Sequence, residues 1–272
     1  MNGPVRRLIP WACLACALAA GAVAIPAFAP AASRAEPTSA TATAPPAILH
    51  TPDDDAVAAS LAADLAVGRL RVERFFGRGF PKPFAVEILP DRAAFDAYFK
   101  KRWNVPATEP WMVATGVADR LAILSPRVWK TAAAEHDPND ASHVRDIVAH
   151  ELVHVFHAQA NPRPDFDGMD DCGWFVEGLA VFVSGQLERS YPNAAADAIK
   201  AGRAPTRLAE AWSGRYRYGV AGSMVAFVDR HYGREVLDRM LTAVSNDEAL
   251  ALMKTTESGF LAAWKASVTA AP

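Results

Sequence analysis

At 272 residues, the chain is long enough for one large domain or two modest ones. It is 51% apolar and 21% charged, with a formal net charge of −2, proportions ordinary for a soluble globular protein. That near-neutral balance argues against a nucleic-acid groove and against a basic face that coats membranes.

The chain opens with Arg6 and Arg7, followed by an apolar stretch from Leu8 to Ala24. Ser33-Arg34-Ala35 then offers small residues at the two positions a signal peptidase reads, with Glu36 beginning the mature chain. This order of features predicts a secretory signal over 1–35. The protein is then exported, periplasmic or extracellular, with no stable membrane association once the signal is removed. The competing reading is a retained anchor, because the apolar run lies near the lower length limit for spanning a bilayer. Cys13 and Cys16 fall inside this segment, which leaves Cys172 alone in the mature chain and unable to close an internal disulfide. Beside Asp170 and Asp171, Cys172 reads as a loop or helix-start residue, with a reactive thiol or a minor metal contact as the alternatives. Residues 36–47 are Ala, Pro, Thr and Ser with almost no large apolar side chain, the composition of a flexible leader. The folded part is expected from about Ile48 to about Val268.

Asp53 to Phe76 carries apolar residues at helical spacing behind three aspartates that suit a helix start. Phe84 to Leu89 reads as a strand, and Asp91 to Trp103 as a second helix. Met112 to Val117 and Leu121 to Leu124, separated by three residues, form a predicted hairpin. Lys130 to Asp140 is polar and reads as a loop. From there the pattern is helical: Ser142 to Ala160, Gly173 to Ser190 after an acidic loop, Tyr218 to Tyr232, Arg234 to Ser245, Asp247 to Met253 and Ser258 to Ser267. The fold class is α+β, with a small mixed α/β N-terminal half carrying a hairpin and an edge strand, and a helical C-terminal half. A cleft between such halves is a natural place for a site.

His150-Glu151-Leu152-Val153-His154 sits in the middle of the first long C-terminal helix. Residues four apart share a helix face, so both imidazoles can point at one ion, while Glu151 is offset and can face a water. Neutral imidazole is a good zinc ligand, and a neighbouring carboxylate can serve as general base. The bland alternative is a helix with two buried, hydrogen-bonded histidines and no metal. A catalytic zinc takes three protein ligands. Glu177, 23 residues after His154, lies in Trp174-Phe175-Val176-Glu177-Gly178-Leu179-Ala180, where a buried carboxylate among apolar neighbours needs a partner. The alternative for Glu177 is a surface residue of an amphipathic helix.

His-Glu-x-x-His followed by a helix with Trp-Phe-x-Glu-Gly-x-Ala resembles the gluzincin zinc metallopeptidases, most nearly the small bacterial peptidase-MA-like group. The resemblance implies a zincin-like catalytic domain over 48–268, one Zn2+ held by His150, His154 and Glu177, and Glu151 as base. It also implies a peptide or protein substrate held by backbone pairing along an upstream edge strand, placed at Leu121 to Leu124. A metzincin pattern fails at His157 and Ala160, which leaves His157 a structural or cleft-wall residue. Three departures stand out. The gap to Glu177 is longer, Val181 occupies the position of a supporting Asp, and the segment that large aminopeptidases use to hold a free amino terminus is missing. The last departure favours an endopeptidase, or at least a specificity different from that of the large aminopeptidases.

An oxyanion donor is also required. Tyr218 and Tyr216 are the candidates, with His231 behind them, and a core or rim aromatic is the alternative for each tyrosine. Asp146, one turn before His150, is either an orienting carboxylate for a ligand histidine or an exposed helix residue. The rival functions are a zinc hydrolase of another amide or ester, and a secreted zinc-containing binding protein without turnover.

Overall fold

The computed structural model describes residues 44–270. The secretory signal expected over 1–35 and the first part of the leader lie outside the described residues.

A short strand, β1 (Ala47–Leu49), leads through a 3-10 turn into the long helix α1 (Asp55–Phe76), which ends on left-handed Gly77. The strand begins on the last residue of the expected leader, and the carbonyl of Ala44 accepts a hydrogen bond from Arg69 of α1 at 3.1 Å. Next come β2 (Ala85–Leu89) and α2 (Arg92–Trp103), whose first turn is capped by the Asp91 side chain. The predicted hairpin forms as β3 (Ala114–Val117) and β4 (Arg120–Leu124). The stretch expected as a loop from Lys130 carries the end of a one-turn helix, α3 (Trp129–Ala132).

The helical half follows. Asp140 caps α4 (Ala141–Ala160) by accepting from the amides of Ser142 and His143. Helix α5 runs Gly173–Ser184 and α6 Gln186–Ser190, so the single helix expected over 173–190 is two helices broken at Gly185. Helix α7 (Ala194–Lys200) has no counterpart in the sequence reading. Its Ala-rich segment lacks the large apolar residues that mark helical periodicity. Helices α8 (Arg217–His231), α9 (Arg234–Met240), α10 (Asn246–Met253) and α11 (Glu257–Thr269) complete the chain.

The sheet has the order β1-β2-β4-β3, with β1, β2 and β4 parallel and β3 antiparallel to β4. This corrects the expected edge strand. Leu121 to Leu124 is interior, because the β2 backbone occupies one side of β4 and the β3 backbone the other. The edge beside the hairpin belongs to β3.

Helix α4 lies against β3, α1 and α5, and α8 packs on the far side of α5. Fifteen of the twenty α4 residues are buried, which makes it the central rod of the molecule. Phe156 on α4 is stacked on Phe76 at 4.4 Å and meets Phe80 edge-on at 5.3 Å, locking α1 to α4. Helices α5 and α8 approach so closely at Gly178 that a side chain there would collide with the carbonyl of Ala221. Only glycine permits that crossing. The architecture is thus mixed α and β, helix-rich in its second half. Among the described residues, no helix is long and apolar enough to cross a membrane.

Candidate metal centre

Helix α4 presents His150 and His154 one turn apart, and α5 brings Glu177 against them. The three candidate ligand atoms form a small triangle. His150 Nε2 and His154 Nε2 are 3.1 Å apart, and Glu177 Oε2 lies 3.3 Å from the first and 3.4 Å from the second. Ligand atoms about 2.0–2.1 Å from a tetrahedral ion stand about 3.4 Å from one another. The triangle therefore fits one small ion, and this buried His-His-Glu group can hold a metal.

The surroundings favour that fit. None of the three residues is more than 2% exposed, and Glu177 Oε1 has no hydrogen-bond partner. Burial alone would push the Glu177 carboxyl up, but the adjacent His154 and His150 outweigh it and hold it below its usual range. Burial lowers His154 against the pull of Glu177. An ionised carboxylate beside a neutral imidazole is the protonation pattern a metal requires.

Glu151 is fully buried one residue along α4, and neither of its carboxylate oxygens has a hydrogen-bond partner. Burial, then the charge of Glu177, raises this carboxyl well above its usual range. The backbone amide of Gly116 on β3 pulls the other way, without reaching good hydrogen-bond geometry. The offset expected from the helix thus separates Glu151 from the triangle while keeping it close enough to feel Glu177.

One partner of the centre was missed in the sequence. Gln186, the first residue of α6, places Oε1 2.8 Å from Nδ1 of His150. Asp146 takes no such part, because Arg189 draws its carboxylate away with a bond from Nε at 3.0 Å and a second from the guanidinium. Val181, at the position of a supporting Asp in the resembled family, is buried and apolar. Tyr218 is buried on α8 beside Val181, parallel to Tyr191 at 5.4 Å and edge-on to Trp212 at 4.9 Å. Val181 itself lies one turn beyond Glu177 on α5. Tyr216 faces a different space, a cavity of about 760 Å³ that also meets Arg203, Glu210 and Ser213, and its hydroxyl is bonded to Arg215. His231 is exposed at the end of α8, stacked on Phe227. His157 is buried between Phe166 and Phe175, and burial lowers its pKa to about 3, which fits a structural residue. The Cys172 thiol is pushed up to about 12 by burial and by Asp171, so it is no thiolate nucleophile.

A second histidine pair stands at the start of α4. His136 Nδ1 lies 2.7 Å from His143 Nε2, and His136 Nε2 lies 2.9 Å from the carbonyl oxygen of Trp111. The rings are nearly parallel and pack under Trp129. Burial lowers His136 to about 4 and lowers His143 as well.

No family model, curated protein or solved structure matches the chain.

Proposed function

We propose that the chain is an exported zinc-dependent hydrolase, a peptidase of gluzincin type with a zincin-like catalytic domain. The observation that carries this reading is the convergence of His150 Nε2, His154 Nε2 and Glu177 Oε2 within 3.4 Å of one another, with a second carboxylate, Glu151, outside the triangle on the same helix as the histidines. Zinc in such a site supplies Lewis acidity and lowers the pKa of a coordinated water to about 7.

The chain's own residues then divide the work. His150 and His154 donate Nε2 lone pairs, and Glu177 donates Oε2 and offsets part of the positive charge. With a zinc ion opposing the burial and the Glu177 charge that raise its carboxyl, the ionised Glu151 carboxylate takes the proton from the attacking water and returns it to the leaving amine. The burial of α4 and α5 around these groups keeps bulk solvent from screening them. Tyr218, buried on α8, which packs against α5, is the preferred donor to the oxyanion of the substrate carbonyl. The edge of β3, antiparallel to β4 and laid against α4, takes the role of the strand that pairs with an extended peptide.

One observation favours a rival. Glu151, His154 and Glu177 are fully buried, as expected of a metal-holding protein without turnover. Glu151 separates the two readings, because a purely structural site has no use for a base. Cleavage of a peptide library by the purified chain with zinc, beside Glu151→Gln, is the test. Cleavage by the parent and a loss of about 10²–10⁴-fold in the variant, at equal zinc content, supports the peptidase. Equal turnover in the two removes the mechanism, and no cleavage by either, with zinc bound, supports the rival.

A further inference from the structure

Gln186 reaches His150 only because the chain leaves its helical path. Along an unbroken helix of about 100° per residue, Gln186, nine positions after Glu177, would lie about 180° around the axis from it. It would then point away from α4. Gly185 breaks the helix with a φ of +83°, and a side chain there would collide with Arg71 and Arg189. Helix α6 leaves on a new course and is fixed to α4 at two points. Arg189 pairs with Asp146, and the Gln186 amide meets His150. Gln186 is itself 1% exposed, so it brings a polar group into the interior at a place where an apolar side chain would pack at no polar cost.

The choice of atom gives the contact its meaning. An amide oxygen can only accept, so His150 Nδ1 carries the proton and Nε2 carries the lone pair. That lone pair faces His154 Nε2 and Glu177 Oε2. With the other tautomer, Nε2–H would point into the triangle and His150 could not ligate. Val181, one turn beyond Glu177, offers no polar atom for this purpose.

We infer that Gln186 is the positioning residue of the metal centre, holding His150 in its ligating tautomer and ring orientation from outside the ligand set. The inference rests on the metal-centre reading above, and its test separates the two. Zinc affinity of the metal-free chain is measured by competition with a chromophoric chelator for the parent, Gln186→Ala, Gln186→Met and Gln186→Glu. The expected result is a loss of about 10–100-fold for the alanine and methionine variants and recovery with glutamate, which restores an acceptor. Methionine keeps the volume, so it reports on the hydrogen bond even where alanine fails to fold. Long-range 1H–15N spectra of the zinc-free chain supply a readout that packing alone would not move. The parent shows His150 protonated at Nδ1, and the methionine variant a mixture of tautomers. Unchanged affinity in Gln186→Met, or glutamate as weak as methionine, overturns the role of Gln186 while leaving the centre intact. A parent chain that takes no zinc removes the centre and this inference together.

Discussion

Two histidine pairs lie on or beside α4, and only one of them meets a carboxylate in a group that could hold an ion. Both are buried and both bring ring nitrogens close, 2.7 Å in His136–His143 and 3.1 Å in His150–His154. In the first pair the rings are nearly parallel, one nitrogen faces the other, and the remaining His136 nitrogen meets the Trp111 carbonyl. That arrangement closes on itself. In the second pair the rings meet at 75°, so both Nε2 lone pairs reach a common third point where Glu177 also arrives. Burial and proximity are therefore shared by a structural clasp and a candidate metal centre. What separates them is convergence on a carboxylate.

Substitutions should break this contrast in opposite ways. The largest effect is expected for Glu177→Ala. It should cost zinc affinity beyond the ~10–100-fold typical of an outer partner, and metal content equal to the parent would remove Glu177 from the ligands. The second effect is on pH. Burial holds His136 at about 4 in the folded chain, against about 6.5 when unfolded. Between those values the unfolded chain binds a proton that the folded chain does not, so the stabilisation is complete above about pH 6.5 and is lost as pH falls to 4. The loss is on the order of 3 kcal/mol. Unfolding free energies measured across that window should therefore fall less for His136→Phe than for the parent, and parallel curves would contradict it.

His143→Leu tests the clasp more directly. Leaving His136 Nδ1 without its partner should cost about 1–3 kcal/mol, read from urea unfolding, with zinc affinity unchanged. A loss of zinc in this variant would mean that the two pairs are coupled and the distinction drawn between them is wrong. The smallest effect is reserved for Asp146→Asn. Its ion pair with Arg189 is partly solvent-screened, so about 1 kcal/mol or less is expected. A larger loss of stability would show that α6 depends on this clamp more than on its own packing.

The same contrast marks what the sequence could reveal. His150 and His154 were legible because their relation is local, four residues on one helix, and Glu177 because a lone carboxylate among Trp, Phe, Val and Leu demands a partner. The helices over 55–76 and 141–160 were legible from apolar spacing and from the aspartates at their starts. Gln186 was not, since its position depends on a left-handed glycine that turns half a helical revolution into a direct contact. The edge strand was misplaced for a related reason. Strand order depends on which backbone lies beside which, and nothing within Leu121 to Leu124 announces that β2 and β3 flank it. The His136–His143 clasp was likewise invisible, because a polar loop residue meets a helix residue only after both are packed under Trp129.

The close crossing at Gly178 gives the centre a mechanical dependence. Glu177 is held at its depth by how tightly α8 seats on α5, since the Ala221 carbonyl occupies the room a side chain would take. Metal coordination tolerates displacements of only about 0.2 Å, far less than the thickness of one methyl group. The seam between these helices is thus a lever on the carboxylate. A molecule that wedged it open would move the Glu177 carboxylate away from the two histidines by displacement, with no chelating group.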